Sequence, residues 1–257
     1  MKNFTTALVA SALIFGSSLA MSEEEPEMEI SANVALANNY LFYGASQTAD
    51  NGAGSGGEAI SGGFDLALPF EILGGQWYVG TWASNVEWGS SDTASIELDF
   101  YGGIAGDSIG STGVSWDVGA WAYTYPDNHD SGGTEDFDYI EYYINLGYTF
   151  DSMPLSPSLS VGVYFSDEYF GTTDQSFHVP VGLEFSLPYD LTAYGSYGYF
   201  TIDNTAAIDD YSYYSFGIAK TVLGVDLDLS WTGATDDCRA VQGTNCGGTV
   251  FSIAKSF

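Results

Sequence analysis

The chain ends on the stretch Thr249-Val250-Phe251-Ser252-Ile253-Ala254-Lys255-Ser256-Phe257, in which Phe251, Ile253 and Phe257 lie at alternating positions. A period of two is the pattern of a β-strand with one apolar face. In an exported protein, a last strand that finishes on an aromatic residue is typical of outer-membrane β-barrels. The stretch therefore predicts such a barrel, with Phe257 as the assembly signal for the barrel-assembly machinery.

The N-terminus predicts export. Lys2 supplies a positive charge, Ala7 to Phe15 form an apolar core, and Ser18-Leu19-Ala20 place small residues before a cleavage point. An uncleaved anchor is the alternative, but the apolar run is well below the ~20 residues of a spanning helix. The predicted organisation is a signal peptide at 1–20, a short acidic periplasmic segment at 21–29 and a single outer-membrane barrel at 30–257.

Composition narrows the class further. The chain has 34 Asp and Glu against 4 Lys and Arg, which argues against nucleic-acid binding. Its 16% aromatic content is unlike that of disordered acidic proteins. Thirty-two glycines and 19 tyrosines with only 7 prolines favour many strands joined by tight turns. No later stretch is continuously apolar, so a membrane crossing requires a closed barrel.

Segments of alternating hydrophobicity recur along the chain, each about as long as a tilted spanning strand of ~9–11 residues. They predict an all-β, single antiparallel barrel of twelve strands. The segments lie at 30–43, 58–68, 76–88, 94–105, 113–125, 138–150, 157–167, 175–187, 190–202, 211–222, 224–233 and 248–257.

The connections between these segments alternate in length. Those after odd-numbered segments are mostly long and polar, as at 126–137 and 233–247, whereas 188–190 and 223–224 are tight. Outer-membrane barrels have an even strand number, short periplasmic turns and longer external loops. A period-two pattern alone also suits a soluble β-sandwich or barrel. The loop lengths and the scarcity of lysine favour the membrane barrel, in contact with outer-membrane lipid.

Nine carboxylates fall on the polar parity of the predicted strands. If these carboxylates line a water-filled passage, they attract cations and repel anions. The prediction is therefore a porin-like channel for small hydrophilic solutes that prefers cations or neutral molecules. Alternatively they bind inward polar partners and plug the lumen, which would make the barrel structural or adhesive. The predicted pore-lining residues are Asp65, Glu87, Glu97, Asp99, Asp117, Glu141, Glu184, Asp226 and Asp228.

The outward parity carries its own expectations. Lys220 and Lys255 fall on it near the periplasmic strand ends, where a lysine can reach the membrane interface; at the bilayer centre it would cost roughly 2–4 kcal/mol. Tyr78 and Trp88 bracket a stripe interpreted as outward, as in an aromatic girdle. Ordinary core aromatics are the alternative interpretation of this stripe. The stripe between them consists of Gly80, Trp82, Ser84 and Val86.

Few residues suggest other chemistry. Cys238 and Cys246, in one predicted external loop, are expected to form a disulfide; a metal site is the rival, without a neighbouring His. The acidic loop around His129, at 127–138, lacks the spacing of a calcium loop and is interpreted as solvated charge. No serine is placed beside His178 as a hydrolase requires. We therefore assign no catalytic residue, metal or cofactor, and the oligomeric state stays open.

Seven stretches of the chain together match the pattern of a known family. They are Ser31-Ala32-Asn33-Val34-Ala35-Leu36, Asn39-Tyr40-Leu41-Phe42-Tyr43-Gly44-Ala45-Ser46-Gln47-Thr48, Tyr78-Val79-Gly80-Thr81-Trp82-Ala83-Ser84-Asn85-Val86-Glu87, Ser95-Ile96-Glu97-Leu98-Asp99-Phe100-Tyr101-Gly102-Gly103, Asp117-Val118-Gly119, Tyr123-Thr124-Tyr125-Pro126 and Ala254-Lys255-Ser256-Phe257. With these stretches the chain resembles the TorF family of proteobacterial porins. This resemblance implies an outer-membrane barrel far more firmly than any particular solute. One departure is Tyr43, because the family usually carries arginine there, and an arginine contribution to a pore constriction would be missing.

Overall fold

A computed structural model describes residues 28–48, 57–88, 94–126, 137–171, 174–203, 210–235, 237–238 and 245–257. The predicted signal peptide, most of the acidic segment after it and His129 lie outside the described residues. The strands are β1 (Glu29–Ala37), β2 (Leu41–Phe42), β3 (Ala45–Ser46), β4 (Ala59–Ile72), β5 (Gly75–Asn85), β6 (Ile96–Gly106), β7 (Ser115–Thr124), β8 (Tyr139–Thr149), β9 (Ser158–Ser166), β10 (Gln175–Leu187), β11 (Leu191–Asp203), β12 (Tyr211–Val222), β13 (Val225–Ala234) and β14 (Gly248–Ser256).

Twelve of these strands form one closed antiparallel barrel, which confirms the predicted fold class and strand number. Consecutive strands from β4 to β14 are neighbours, and β1 pairs with both β14 and β4 to close the barrel. The last residue takes part in this closure, because the Phe257 N–H donates to the Ala32 carbonyl at 2.9 Å. The Ala32 N–H donates in return at 3.2 Å. The assembly-signal role of Phe257 stays a prediction.

The two faces of the wall differ in chemistry, because successive side chains of a strand alternate between inside and outside. Many large apolar side chains are exposed on the outer face, as expected for a wall that contacts lipid. Examples from around the circumference are Ile30, Leu36, Phe64, Val79, Phe100, Ile144, Val163, Phe177, Phe216, Leu229, Phe251 and Ile253. No helix in the described part of the chain is long and apolar enough to cross a bilayer.

The tight turns, the start of β1 and the end of β14 share one rim of the barrel, which we call the terminal rim. Two-residue turns join β4 to β5 and β12 to β13, and both residues of each turn have positive φ. Such turns match the twist of paired strands. Lys255, on the outer face at this rim, donates from Nζ to the Gly224 carbonyl at 2.9 Å. This rim also carries the connections 107–114 and 150–157, whereas the opposite rim, the loop rim, carries the longest ones, at 38–58, 125–138 and 235–247.

The first strand is shorter than predicted. The interval 30–43 was expected to be one strand, but β1 ends at Ala37. The chain then turns into the barrel, and β2 and β3 form a separate two-stranded sheet there. We call residues 38–48 the luminal hairpin. Its tip is Tyr43-Gly44, with φ values of 48° and 83°.

Candidate functional site in the barrel lumen

Eight of the nine predicted carboxylates lie at inward positions of the strands, and Glu87 does not. Glu87 is exposed, follows the end of β5 and shares the outward parity of Trp77 and Val79, which are 42% and 44% exposed. The predicted direction of the Tyr78–Trp88 stripe was therefore wrong, and Glu87 is not a lumen residue. The eight inward carboxylates are Asp65, Glu97, Asp99, Asp117, Glu141, Glu184, Asp226 and Asp228.

The reversed stripe contributes polar aromatics to the interior instead of a lipid-facing girdle. The Tyr78 hydroxyl donates to Asp117 Oδ1 at 2.8 Å and also contacts the Tyr143 hydroxyl. Trp82 packs edge-on against Tyr40 of the luminal hairpin, with ring centroids 5.3 Å apart. The sequence could not fix this direction because both faces of β5 carry aromatic and small residues. The partner of Tyr78 lies 39 positions along the chain.

Tyrosine hydroxyls are the main partners of the inward carboxylates. Tyrosine and threonine hydroxyls are neutral donors, so these bonds bring no positive charge into the lumen. The pairs run around the lumen wall and along its length. They are Tyr101 with Asp65 at 2.5 Å, Tyr125 with Glu97 at 3.1 Å, Tyr123 with Glu141 at 3.0 Å, Tyr194 with Asp228 at 2.8 Å and Thr221 with Asp226 at 2.5 Å.

Three acidic residues form the most buried group, close to the loop rim. Glu97 and Asp99 share the inner face of β6, and Glu141 lies on β8; their exposed fractions are 2%, 1% and 0%. Asp99 Oδ1 and Glu141 Oε1 have no hydrogen-bond partner. A buried carboxylate without a compensating cation is costly. No group of three His, Cys, Asp or Glu side chains within the described ranges is arranged to hold a metal ion.

Two of the acidic residues near the terminal rim are more accessible. Glu184 is exposed and Asp117 is half-buried, although both occupy inward positions. Solvent therefore reaches the interior from this rim at least as far as these side chains. Lys220 and Lys255, the lysines of the described strands, both lie on the outer face. The inner wall of the described strands consequently carries acidic side chains and the buried His178, but no lysine or arginine.

The luminal hairpin crosses the interior near the loop rim and is attached to the wall on several sides. The Tyr40 hydroxyl donates to Glu97 Oε1 at 2.8 Å, on β6. At the tip, the Tyr43 hydroxyl donates to Glu141 Oε2 at 2.6 Å, on β8. From the opposite wall, the Tyr211 hydroxyl of β12 donates to the Tyr43 carbonyl at 2.9 Å. The hairpin thus covers the buried acidic group.

Aromatic packing fixes the tip of the hairpin in this position. The Tyr43 ring lies over the His178 ring at a centroid distance of 3.8 Å, and Phe42 meets Tyr123 at 5.5 Å. His178 Nε2 is hydrogen-bonded to the Tyr213 hydroxyl at 2.9 Å. Tyr43 stands where the family resemblance implied arginine. It therefore places a fully buried, neutral ring in the lumen.

Sequence reasoning missed the hairpin because it named these residues as the end of a spanning strand. The local signals were Asn38-Asn39, which interrupts the apolar run after β1, and the aromatic-glycine pair Tyr43-Gly44. A Cβ on Gly44 would lie 2.6 Å from Tyr213 Cβ, so only glycine allows this approach to β12. That contact depends on a residue 169 positions away and leaves no trace in the local pattern.

The predicted disulfide is confirmed. Cys238 and Cys246 are bonded, with their Cα atoms 6.2 Å apart. Cys238 is completely buried and belongs to the same aromatic cluster as the luminal hairpin, and Cys246 packs against that cluster. Phe137 is the first described residue after the acidic loop that follows β7. There Asp138 Oδ1 accepts a hydrogen bond from the Tyr125 N–H at 2.7 Å.

Comparison with known proteins gives a family and a fold. The profile of Gcw_chp, a bacterial protein family of unknown function, matches residues 22–257. Among curated proteins, none matches the chain significantly. The NanC porin superposes with a TM-score of 0.50 at 8% identity, over 88% of this chain and 98% of that chain.

Two further solved barrels are similar at a lower score. The KdgM porin superposes with a TM-score of 0.48 at 8% identity, over 89% of this chain and 97% of that chain. The COG4313 outer membrane channel from Pseudomonas putida F1 does so with a TM-score of 0.46 at 8% identity, over 92% and 99%. At such identities the likeness concerns the fold alone. The chain has the porin-like barrel fold that the resemblance implied, whereas the TorF name is not confirmed.

Proposed function

We propose that this chain, which belongs to the bacterial Gcw_chp family, is an outer-membrane channel for passive passage of small hydrophilic solutes. Cations and neutral molecules are preferred over anions. The apolar outer face suits a bilayer, and the mature chain reaches it through export and the barrel-assembly machinery. The observation that carries the proposal is the inner wall, where eight carboxylates face the lumen and no lysine or arginine occupies an inward position of the described strands.

Physical chemistry links this wall to selectivity. An array of fixed negative charges raises the local concentration of cations and excludes anions, most strongly at low ionic strength. A barrel of twelve strands lies between the packed interior of eight strands and the open channel of sixteen, so a narrow passage is consistent with this size. The partly accessible Asp117 and Glu184 line the route from the terminal rim. No enzymatic role is proposed, because His178 is engaged with two tyrosines.

A non-conducting barrel with a structural or surface-adhesion role is the second candidate. The luminal hairpin favours it, because Tyr40, Phe42 and Tyr43 fill the interior near the loop rim and are all buried. Planar-bilayer recording of the purified protein separates the two candidates. A channel should give discrete conductance steps when only a few copies are inserted in the bilayer. The structural role is the better account if no current is measured with the wild-type protein and none with a variant in which residues 40–47 are replaced by a Gly/Ser linker.

The first prediction concerns location. The protein is expected to fractionate with the outer membrane and to migrate faster on gels when unheated, because a closed strand ladder resists detergent until it is boiled. The measurement is cell fractionation followed by electrophoresis of heated and unheated samples. Recovery of the chain as a soluble periplasmic protein would contradict the membrane proposal.

The second prediction concerns the accessible carboxylates. The double variant Asp117→Asn/Glu184→Gln is expected to lower the preference for potassium over chloride severalfold at low salt, because two charges on the route are removed. Reversal potentials across a potassium chloride gradient measure the change. Glu87→Gln is the matched control: it removes one charge from an exposed outward position and should leave selectivity unaltered. Equal effects of the two variants would exclude an inner-wall origin.

A further inference from the structure

We propose that the luminal hairpin is a displaceable gate and that the Cys238–Cys246 bridge clamps it in the closed position, so that reduction of the bridge favours opening. The inference concerns regulation and rests on the proposed channel function. Its ligand is an external dithiol reductant. The hairpin pairs weakly within itself, it is attached to the segment that precedes β14, and the bridge holds that segment.

The hairpin has little stability of its own. Its two strands, β2 and β3, contain two residues each and pair with one another over those two residues. A two-stranded hairpin in isolation is marginal at best. By contrast, β10 and β11 pair over thirteen consecutive residues. The hairpin can therefore leave its position without breaking the ladder of the barrel, provided that its contacts with the surroundings are released.

Backbone contacts to the segment before β14 are prominent among those attachments. The Ser46 N–H donates to the Asn245 carbonyl at 2.8 Å, and the Gly247 N–H donates to the Gly44 carbonyl at 2.8 Å. Between these bonds, Ala45 forms an isolated antiparallel bridge with Cys246. Residues 245–247 thus act as a third strand beside the hairpin, and Cys246 is its central residue.

The disulfide fixes that third strand. It joins Cys246 to Cys238, which follows β13 and is completely buried among the aromatic residues that surround the hairpin. Cross-linking across a sequence separation of 8 restricts the conformations open to the segment, and this restriction is the main way a disulfide stabilises a local structure. With the bridge intact, residues 245–247 stay beside the hairpin. Without it, the direct cross-link between this segment and the buried Cys238 is lost.

Reduction supplies the change of state. A thiolate of the dithiol attacks the sulfur of Cys246, the less buried of the two residues, and the Cys238 thiolate leaves as the sulfur–sulfur bond breaks. The second thiol of the reagent then displaces Cys246 and closes to a cyclic disulfide. Two electrons pass from the reagent to the protein, and the two cysteine thiolates take up the two protons released by the reagent's thiols.

The test combines two measurements on the full-length barrel reconstituted in lipid. Hydrogen exchange at the amides of Ser46 and Gly247 reports the hairpin contact, and planar-bilayer conductance reports the passage. We expect reduction to accelerate exchange at both amides by roughly tenfold, at the lower end of the effect of a short disulfide loop. Open probability should rise in parallel. The variant Cys238→Ser/Cys246→Ser should have the exchange rates and open probability of the reduced protein, and adding the dithiol should not change them.

The outcomes separate this inference from the channel proposal. Faster exchange upon reduction without any current supports a mobile hairpin in a barrel that does not conduct. Currents that are identical in the oxidised, reduced and serine forms leave the channel intact and overturn the clamp. Unchanged exchange at Ser46 and Gly247 after complete reduction also overturns it. Exchange in the β10–β11 ladder should stay constant throughout, which shows that the barrel is folded in every sample.

Discussion

Replacing Gly63 by alanine is expected to destabilise the barrel by roughly 1–3 kcal/mol or more and to reduce the yield of assembled protein. Gly63 lies on the inner face of β4, opposite Trp82 of β5. A Cβ at this position would overlap the Thr81 carbonyl oxygen and lie 3.0 Å from Trp82 Cα. These atoms belong to the backbone of the neighbouring strand, so relief requires β4 and β5 to separate.

The measurement is the free energy of unfolding in urea, together with the fraction of the protein that migrates as the folded form without heating. Gly195→Ala is the matched control in β11, because the nearest atom to its added Cβ would be the Ser215 carbonyl oxygen at 3.5 Å. That variant should be neutral or slightly stabilising, since glycine weakens strands. A stable Gly63→Ala barrel would contradict the close approach of β4 and β5.

Replacing Tyr43 by phenylalanine is expected to lower the free energy of unfolding by about 2 kcal/mol, the cost of leaving a buried charged acceptor short of a donor. Tyr43 and Tyr123 are the hydrogen-bond partners of Glu141 Oε2, and Glu141 Oε1 has none. Phenylalanine keeps the ring over His178 and fits the same backbone conformation, so the loss reports the hydroxyl.

Urea unfolding in lipid or detergent measures this loss, with Tyr197→Phe as the control. The Tyr197 hydroxyl bonds to Ser212 Oγ at 2.7 Å on the exposed outer surface, so its removal should change stability by no more than about 0.5 kcal/mol. Adding Glu141→Gln to Tyr43→Phe should recover part of the loss, because the buried group is then neutral. Equal stability of Tyr43→Phe and Tyr197→Phe would mean that the hairpin tip is not held by Glu141.

Much of the barrel could be predicted from the sequence because each spanning strand carries its own pattern. In β8, for example, Ile140, Tyr142 and Ile144 are exposed on the outside, whereas Glu141 and Tyr143 are buried inside, as their alternation indicated. The same argument located Asp226 and Asp228 on β13. Strand number, the rim of the short turns and the disulfide followed from local features of this kind.

The remaining features depend on contacts between residues far apart in the chain. The direction of β5 was ambiguous because tryptophan occurs on both of its faces, at Trp77 and Trp82. Contacts with distant residues distinguish inside from outside, such as those of Trp82 with Tyr40 and of Tyr78 with Asp117. The luminal hairpin was missed because only Asn38-Asn39 separates its apolar residues from those of β1. Its turn into the barrel is stabilised by bonds to Glu97, Glu141 and Tyr211, none of which is visible in the local sequence.

The central claim is that the acidic inner wall faces a passage for cations, and the reversal potential of the wild-type channel tests it most directly. Across a potassium chloride gradient between 0.01 M and 0.1 M, the current should reverse at a potential that has the sign of the potassium equilibrium potential. This preference should weaken when both solutions are made more concentrated, because the Debye length falls from ~30 Å at 0.01 M to ~10 Å at 0.1 M and shortens further above it. A reversal potential of zero, or one with the sign of the chloride equilibrium potential, would contradict the account.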